Sequence, residues 1–203
     1  MELVNSSGAV ITDVEFRAAN PLTSFPAILQ AADVAPYGYF IVQQVAAPAP
    51  SQFYTVAEGA PVLVGDVWTQ TWVQTPVALA TAQAAQAQVL DQACAAAIVS
   101  GFTSSALGSA YTYPSGTLDQ QNLTASVLAS MLPGVAAGWT TPFWCANGEG
   151  VWAWTNHTAA QIQQVGTDAK TAILALQSQN ATLQAQVAAA TTVDAVAAIT
   201  WPT

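Results

Sequence analysis

Pro142-Phe143-Trp144-Cys145-Ala146-Asn147-Gly148-Glu149-Gly150-Val151-Trp152-Ala153-Trp154 reads as two short aromatic strands around a tight turn. Asn147-Gly148-Glu149-Gly150 supplies the turn chemistry, because Asn and Gly accept the backbone angles a hairpin needs. Thr158 then stands as the N-cap of a long helix running to about Ala190, and a shorter helix over Val193–Ile199 closes the chain before Trp201 and Pro202. A strand pair that hands over to helices, in separate runs, predicts an α+β fold with an aromatic hairpin and a long helix in its C-terminal part.

Outward from this stretch, Phe102–Gly116 reads as loop or short strand, with Tyr111 and Tyr113 on one side of an extended segment. Leu118–Leu132 reads as a helix whose apolar face is Leu123, Val127, Leu128 and Met131. Upstream, Thr75-Pro76 predicts the start of a helix, with Thr75 as N-cap and Pro76 in the first turn. Val77 to about Val99 is dominated by Ala and Gln, carries a stripe of Leu79, Val89, Leu90, Ala93, Ala97 and Ile98, and ends before Gly101. The N-terminal part is β-like. Tyr39–Val45, Phe53–Val56, Pro61–Val64 and Val67–Val73 are strand candidates. Glu58-Gly59 and Gly65-Asp66 read as the turns of a small hairpin or meander. Trp68 and Trp72, four apart in an extended segment, share one face. Asp13-Val14-Glu15 reads as a strand edge or linker, and Asn20-Pro21 to Pro26 as extended chain. The expected organisation is an N-terminal β-rich module over 1–74, a connecting Ala-rich helix over 75–100, and an α+β domain over 101–203.

Composition narrows the chemistry. The 203 residues include two cations, Arg17 and Lys170, one histidine, two cysteines and eleven acids, for a net charge of −9. Hydrophobic content of 53% argues for a packed core, while charged residues at 6% fall far below the roughly 25% of ordinary soluble domains. A surface so poor in charge costs little to desolvate, which suits burial in an assembly. Two distant cations make no track for phosphates, so nucleic acid is not an expected partner, and no anionic membrane surface is either. Met1-Glu2-Leu3-Val4 has neither a basic nor an apolar leader region, so no secretory signal is expected. The long charge-free stretches, broken by Gly, Pro, Ser, Thr and Gln, are not expected to insert in a bilayer. Cys94 and Cys145 read as small core residues of a chain made in a reducing cytoplasm.

No catalytic constellation emerges. His157 is the only imidazole, no Gly-x-Ser-x-Gly elbow exists, the acids are dispersed, and no His/Cys/carboxylate cluster has metal-ligand spacing. The expectation is a chain that is not an enzyme and takes no cofactor or metal. Two other features invite a role. Ile173, Leu176, Asn180, Leu183 and Val187 are spaced 3, 4, 3 and 4, an a/d seam of two heptads. A lone Asn at such a position fixes register and oligomer number. Either the seam associates with other copies, or the helix packs on its own domain, against Val193–Ile199 for instance. Trp139, Trp144, Trp152 and Trp154 crowd a second region. A core built of aromatics is the expectation there, and a sugar-binding or interface face is the alternative.

Two sets of segments also resemble known families. Phe16–Pro26 with Gly38-Tyr39, then Glu58-Gly59-Ala60-Pro61 and Val67–Trp72, resembles the N-terminal module of many small tailed-phage tail proteins. Gly101–Gly108, Tyr113-Pro114, Asp119–Leu123, Phe143-Trp144-Cys145, Gly150–Trp154 and His157–Gln161 look like the DUF4376 domain of phage tail fibre and tail-associated proteins. The resemblance implies a non-catalytic structural protein of a bacteriophage tail, in a fibre or its attachment region. It would be synthesised in the bacterial host cytoplasm and carried in the virion. Its implied partners are other tail proteins and copies of itself, a trimer being favoured. A tail-fibre assembly chaperone and a carbohydrate-binding module for a host surface glycan are the alternatives.

Overall fold

The computed structural model describes residues 1–202; Thr203, the last residue of the expected C-terminal domain, lies outside the described residues. The fold is α+β, and the chain divides into two compact units, Met1–Ala78 and Leu79–Thr203.

In the first unit, β1 (Glu2–Asn5) pairs antiparallel with β2 (Val10–Thr12) on one side and β3 (Tyr39–Ile41) on the other. Asn5 closes the β1–β2 turn: its side-chain oxygen accepts from the Ser7 and Ala9 amides at 3.0 and 2.9 Å. Helix α1 (Asp13–Ala19) follows at once. The Asp13-Val14-Glu15 segment is therefore the first helical turn, not a strand edge. Thr12 and Glu15 form a reciprocal capping box, a Thr-x-x-Glu signal present in the sequence. Phe16 on α1 is the centre of the small core with Leu3, Leu29 and Val34. Phe25, Tyr37 and Tyr39 surround its ring at 5.1, 5.4 and 5.6 Å. Val34 comes from the single turn α2 (Ala31–Val34).

Only Tyr39–Ile41 of the expected Tyr39–Val45 strand joins this sheet; beyond it Gln43 makes one parallel bridge to Thr69. The rest of the unit is a two-stranded ribbon, β4 (Tyr54–Val64) and β5 (Val67–Pro76), turned at Gly65 and Asp66. Glu58-Gly59 is not a turn. It lies within β4, where the register slips between Gly59 and Val62 as a bulge. A side chain at Gly59 would meet Thr71 Oγ1 at 2.6 Å, so the close cross-strand approach explains the glycine. The base of the ribbon is tied down by polar contacts. Trp72 Nε1 donates to the Val45 carbonyl at 3.0 Å, and the buried Gln70 carboxamide receives the Val45 amide at 3.0 Å and donates to the Glu58 carboxylate.

Thr75-Pro76 ends β5 instead of starting a helix, and α3 (Leu79–Val99) belongs to the second unit. The hydrogen-bonded pairing of Thr75 with Thr55 and of Pro76 with Tyr54 outweighs the local helix-start signal. The second unit continues with β6 (Phe102–Ser104), β7 (Tyr111–Tyr113), α4 (Thr117–Ser130), β8 (Thr140–Ala146), β9 (Trp152–Thr158), α5 (Ala159–Ala189) and α6 (Val193–Ala197). The four strands form an antiparallel meander in the order β6-β7-β8-β9. The N-terminal half of α5 packs on it, burying Ile162, Val165 and Ala169 with Phe102, Tyr113, Phe143, Cys145 and Leu123 of α4. Gly166 lets α4 come close: a side chain there would sit 2.8 Å from Val127 Cγ2.

At 31 residues, α5 is roughly 46 Å long and outruns the sheet. Its second half packs antiparallel along α3. The buried row of α3 is Ala82, Gln86, Leu90 and Cys94; Val89, placed on the apolar stripe by periodicity, is exposed. Neutral amides fasten the pair. Gln83 Nε2 donates to the carbonyls of Val187, Ala188 and Ala190 at 3.1–3.3 Å, capping the end of α5. Gln184 donates to the Ala87 carbonyl and to Asp91, both at 2.9 Å, and Gln86 reaches the Ile199 carbonyl at 2.5 Å. Glutamine therefore supplies most of the hydrogen bonds that fasten this pair, with Asp91 the one charged acceptor among them.

Candidate functional site

The five seam residues lie where α5 runs along α3. Ile173, Leu176, Asn180 and Leu183 are half-buried and Val187 is buried. Cys94 Sγ of α3 donates to the Leu176 carbonyl at 3.7 Å, and Asn180 Nδ2 donates to Asp91 Oδ1 of α3 at 2.7 Å. Within one chain, then, the seam has a partner helix, and that partner is α3; the short α6, the partner the sequence offered, packs on α3 instead. Asn180 is thus one of the polar ties across this intramolecular pair, through its amide nitrogen.

The tryptophans divide. Trp139 packs at the edge of the sheet core. Trp144, Trp152 and Trp154 do not; they are 38%, 41% and 69% exposed, and the expectation of an aromatic core is corrected for these three. Strand alternation gives the reason. Phe143 and Cys145 of β8 and His157 of β9 point to α5, so Trp144 and Trp154, directly paired across the strands, and Trp152, opposite Ala146, point to the other face. Sequence alone gives the parity of the two strands but not which parity is inward. The Asn147 side chain fixes the turn by accepting from the Glu149 and Val151 amides at 3.0 Å each, so the register that assembles the three indoles is held from within the hairpin.

The three rings form one surface. Trp144 and Trp152 lie nearly parallel, 6.1 Å apart at 19°, and Trp154 tilts 57° against Trp144 at 5.5 Å. Beside Trp144 and Trp154 a cleft of about 260 Å³ opens toward α4, where Asp119, Asn122 and Ser126 line it with Ala125, Pro142 and Phe143. Asp119, Asn122 and Ser126 are spaced 3 and 4 and so form one stripe of α4. That spacing was visible in the sequence, but nothing there said which face of α4 meets the hairpin. Asp119 Oδ2 accepts from the Gly116 amide at 3.1 Å, which holds the carboxylate at the helix start.

The only imidazole is a core residue. His157 Nδ1 donates to the Thr155 carbonyl at 2.8 Å, so Nε2 accepts from the Tyr113 hydroxyl, also at 2.8 Å. Both side chains are 0% exposed. Burial holds the imidazole below its ordinary pKa, the Thr155 hydrogen bond opposing this in part, and pushes the Tyr113 phenol up. No reactant reaches this pair from solvent. Among the described residues, no group of three His, Cys, Asp or Glu side chains is placed to hold a metal ion, and no helix is long and apolar enough to cross a membrane. A second, larger groove of about 560 Å³ runs between α4 and α5 over Val127, Leu128, Met131 and Gly166, with Lys170 at its rim. Leu128 and Met131, expected on the apolar core face of α4, border this open groove and are exposed.

Residues 81–200 match the family model of the domain of unknown function DUF4376, over half of the chain. The chain belongs to that family. The DUF4376 segment begins in the first turn of α3 and ends just beyond α6. It therefore takes in α3, the helix expected as a connector, along with the sheet, the tryptophan face and the α3–α5 pair. No curated protein and no solved structure matches the chain.

Proposed function

We propose that this DUF4376 protein is a non-catalytic building block of a bacteriophage tail, in a fibre or its attachment region, and acts through protein–protein assembly. The observation that carries the assembly part is the β4–β5 ribbon. It is a sheet of two strands, whose far end displays Val62, Leu63, Val64 and Val67 to solvent around the Gly65-Asp66 turn. A two-stranded ribbon is marginal in water by itself, and apolar side chains grouped on an exposed strand end mark a surface to be covered. The nearly uncharged surface agrees, since covering it desolvates few ions. The tail assignment comes from the resemblance of the ordered segments in both units to tail proteins. Copies of the chain and other tail proteins are the partners, and the virion is the location, with synthesis in the host cytoplasm.

Light scattering of the full chain over a dilution series tests the assembly. A stable trimer is expected, and Leu63→Asp combined with Val64→Asp is expected to lower the mass toward the 20.9 kDa of one chain while far-ultraviolet circular dichroism stays unchanged. A carboxylate forced into an apolar contact costs several kcal/mol, on the order of what holds a subunit interface. A mass of one chain at every concentration would contradict self-assembly and favour the chaperone reading.

A further inference from the structure

We propose that the outer face of the β8–β9 hairpin binds an uncharged saccharide, one ring of which stacks on Trp144 and Trp154 with its hydroxyls toward Asp119, Asn122 and Ser126. Such binding goes beyond assembly and holds whether or not the chain is built into a tail.

Three features combine. Exposed indoles offer large, rigid, apolar faces, and three of them are gathered on one side of a hairpin whose register is fixed by Asn147. The tilt of Trp154 against Trp144 makes the surface angled instead of flat, and its open side faces α4. The α4 wall is polar where the indoles are not. Asp119 is held by one carboxylate oxygen, while the Asn122 and Ser126 side chains have no hydrogen-bond partner among the described residues. A pyranose ring has an apolar C–H face and a rim of hydroxyls, so it matches an aromatic floor beside an amide, a hydroxyl and a carboxylate.

Charge selects among ligands that stack on tryptophan. No cation lines the cleft, and Asp119 would repel a phosphate, sulfate or sugar acid. Stacked nucleobases bring a phosphate backbone that needs a basic groove. A protein strand laid on the indoles would cover Asn122 and Ser126 and leave them unpaired unless it answered each one. The volume of about 260 Å³ lies below the roughly 300–1,000 Å³ of drug-sized pockets, which suits one ring of a longer glycan.

The test uses the full chain with maltotriose, cellotriose, lactose and triacetylchitotriose, read by tryptophan fluorescence and saturation-transfer NMR. At least one probe is expected to saturate. Trp154→Ala is expected to weaken it roughly tenfold or more, and Asn122→Ala severalfold, with Trp139→Phe unchanged. Trp154 and Asn122 are exposed, so both variants should fold, and circular dichroism checks that they do. The proposal is overturned if no probe saturates up to about 20 mM, a free energy too weak for a site. Equal binding by Trp154→Ala overturns it. A fall in solution mass in Trp154→Ala, without loss of saccharide binding, would make the face an interface between copies instead.

Discussion

Tyr113→Ala should cost the C-terminal unit about 3–5 kcal/mol, the usual range for removing a large aromatic side chain from a core. Tyr113 is 0% exposed and is the hub of the sheet core. Its ring stacks on Phe102 at 5.4 Å and 17°, meets Phe143 at 6.2 Å, and carries the hydroxyl that donates to His157. Tyr113→Phe keeps the packing and removes only that donor, so it should cost less, about 1–3 kcal/mol, because buried His157 Nε2 then lacks a partner. Urea unfolding of both variants checks the order; equal costs would mean that packing and hydrogen bond had been apportioned wrongly.

The same pair makes stability depend on pH. The folded imidazole titrates below its unfolded value of about 6.5, chiefly because burial disfavours the charged form. The unfolded chain therefore binds the proton first. His157 contributes its full stability above pH 6.5, and that contribution falls as the pH drops below 6.5 toward the folded pKa, by up to about 1.4 kcal/mol per pH unit. His157→Gln, which cannot titrate, should flatten that part of the profile.

Gly101→Val should be the most damaging single change in a loop, at about 3 kcal/mol or more. Gly101 joins α3 to β6 with φ of +115°, a region that β-branched residues avoid, and a Cβ there would sit 2.8 Å from the Tyr113 carbonyl oxygen. The obstacle is backbone of the paired strand, which cannot rotate away as a side chain would. Strain and clash each contribute about 1–3 kcal/mol. Thermal unfolding measures the cost, and a loss below about 1 kcal/mol would contradict the packing of Gly101 against β7.

The α+β class, the aromatic hairpin and the Thr158 cap of α5 were legible because each rests on local rules: turn residues, alternation, a capping Thr with Gln161 three residues on. What was not legible depends on long-range pairing. Thr75-Pro76 carries a helix-start signal, yet its backbone is used by the ladder to Tyr54 and Thr55, which lie about twenty residues away in the chain. The a/d spacing of α5 marks a stripe suited to a partner helix but cannot name the opposing helix. A seam looks the same whether it faces α3 or another copy. Hydrophobicity alone places the hairpin tryptophans inward, whereas strand parity turns Trp144, Trp152 and Trp154 outward because Phe143, Cys145 and His157 take the face toward α5. Asp119, Asn122 and Ser126 were unremarkable polar residues until α4 was placed beside the hairpin.

Assembly into a phage particle is the claim on which the functional account rests. Mass spectrometry of gradient-purified phage virions, from lysing cells in which this chain is made, tests it most directly. The account predicts the chain among the virion proteins, in a copy number set by tail symmetry and retained through repeated gradients. Abundance in the infected-cell lysate with none in the virions would contradict it and leave a factor that handles the tail without staying in it.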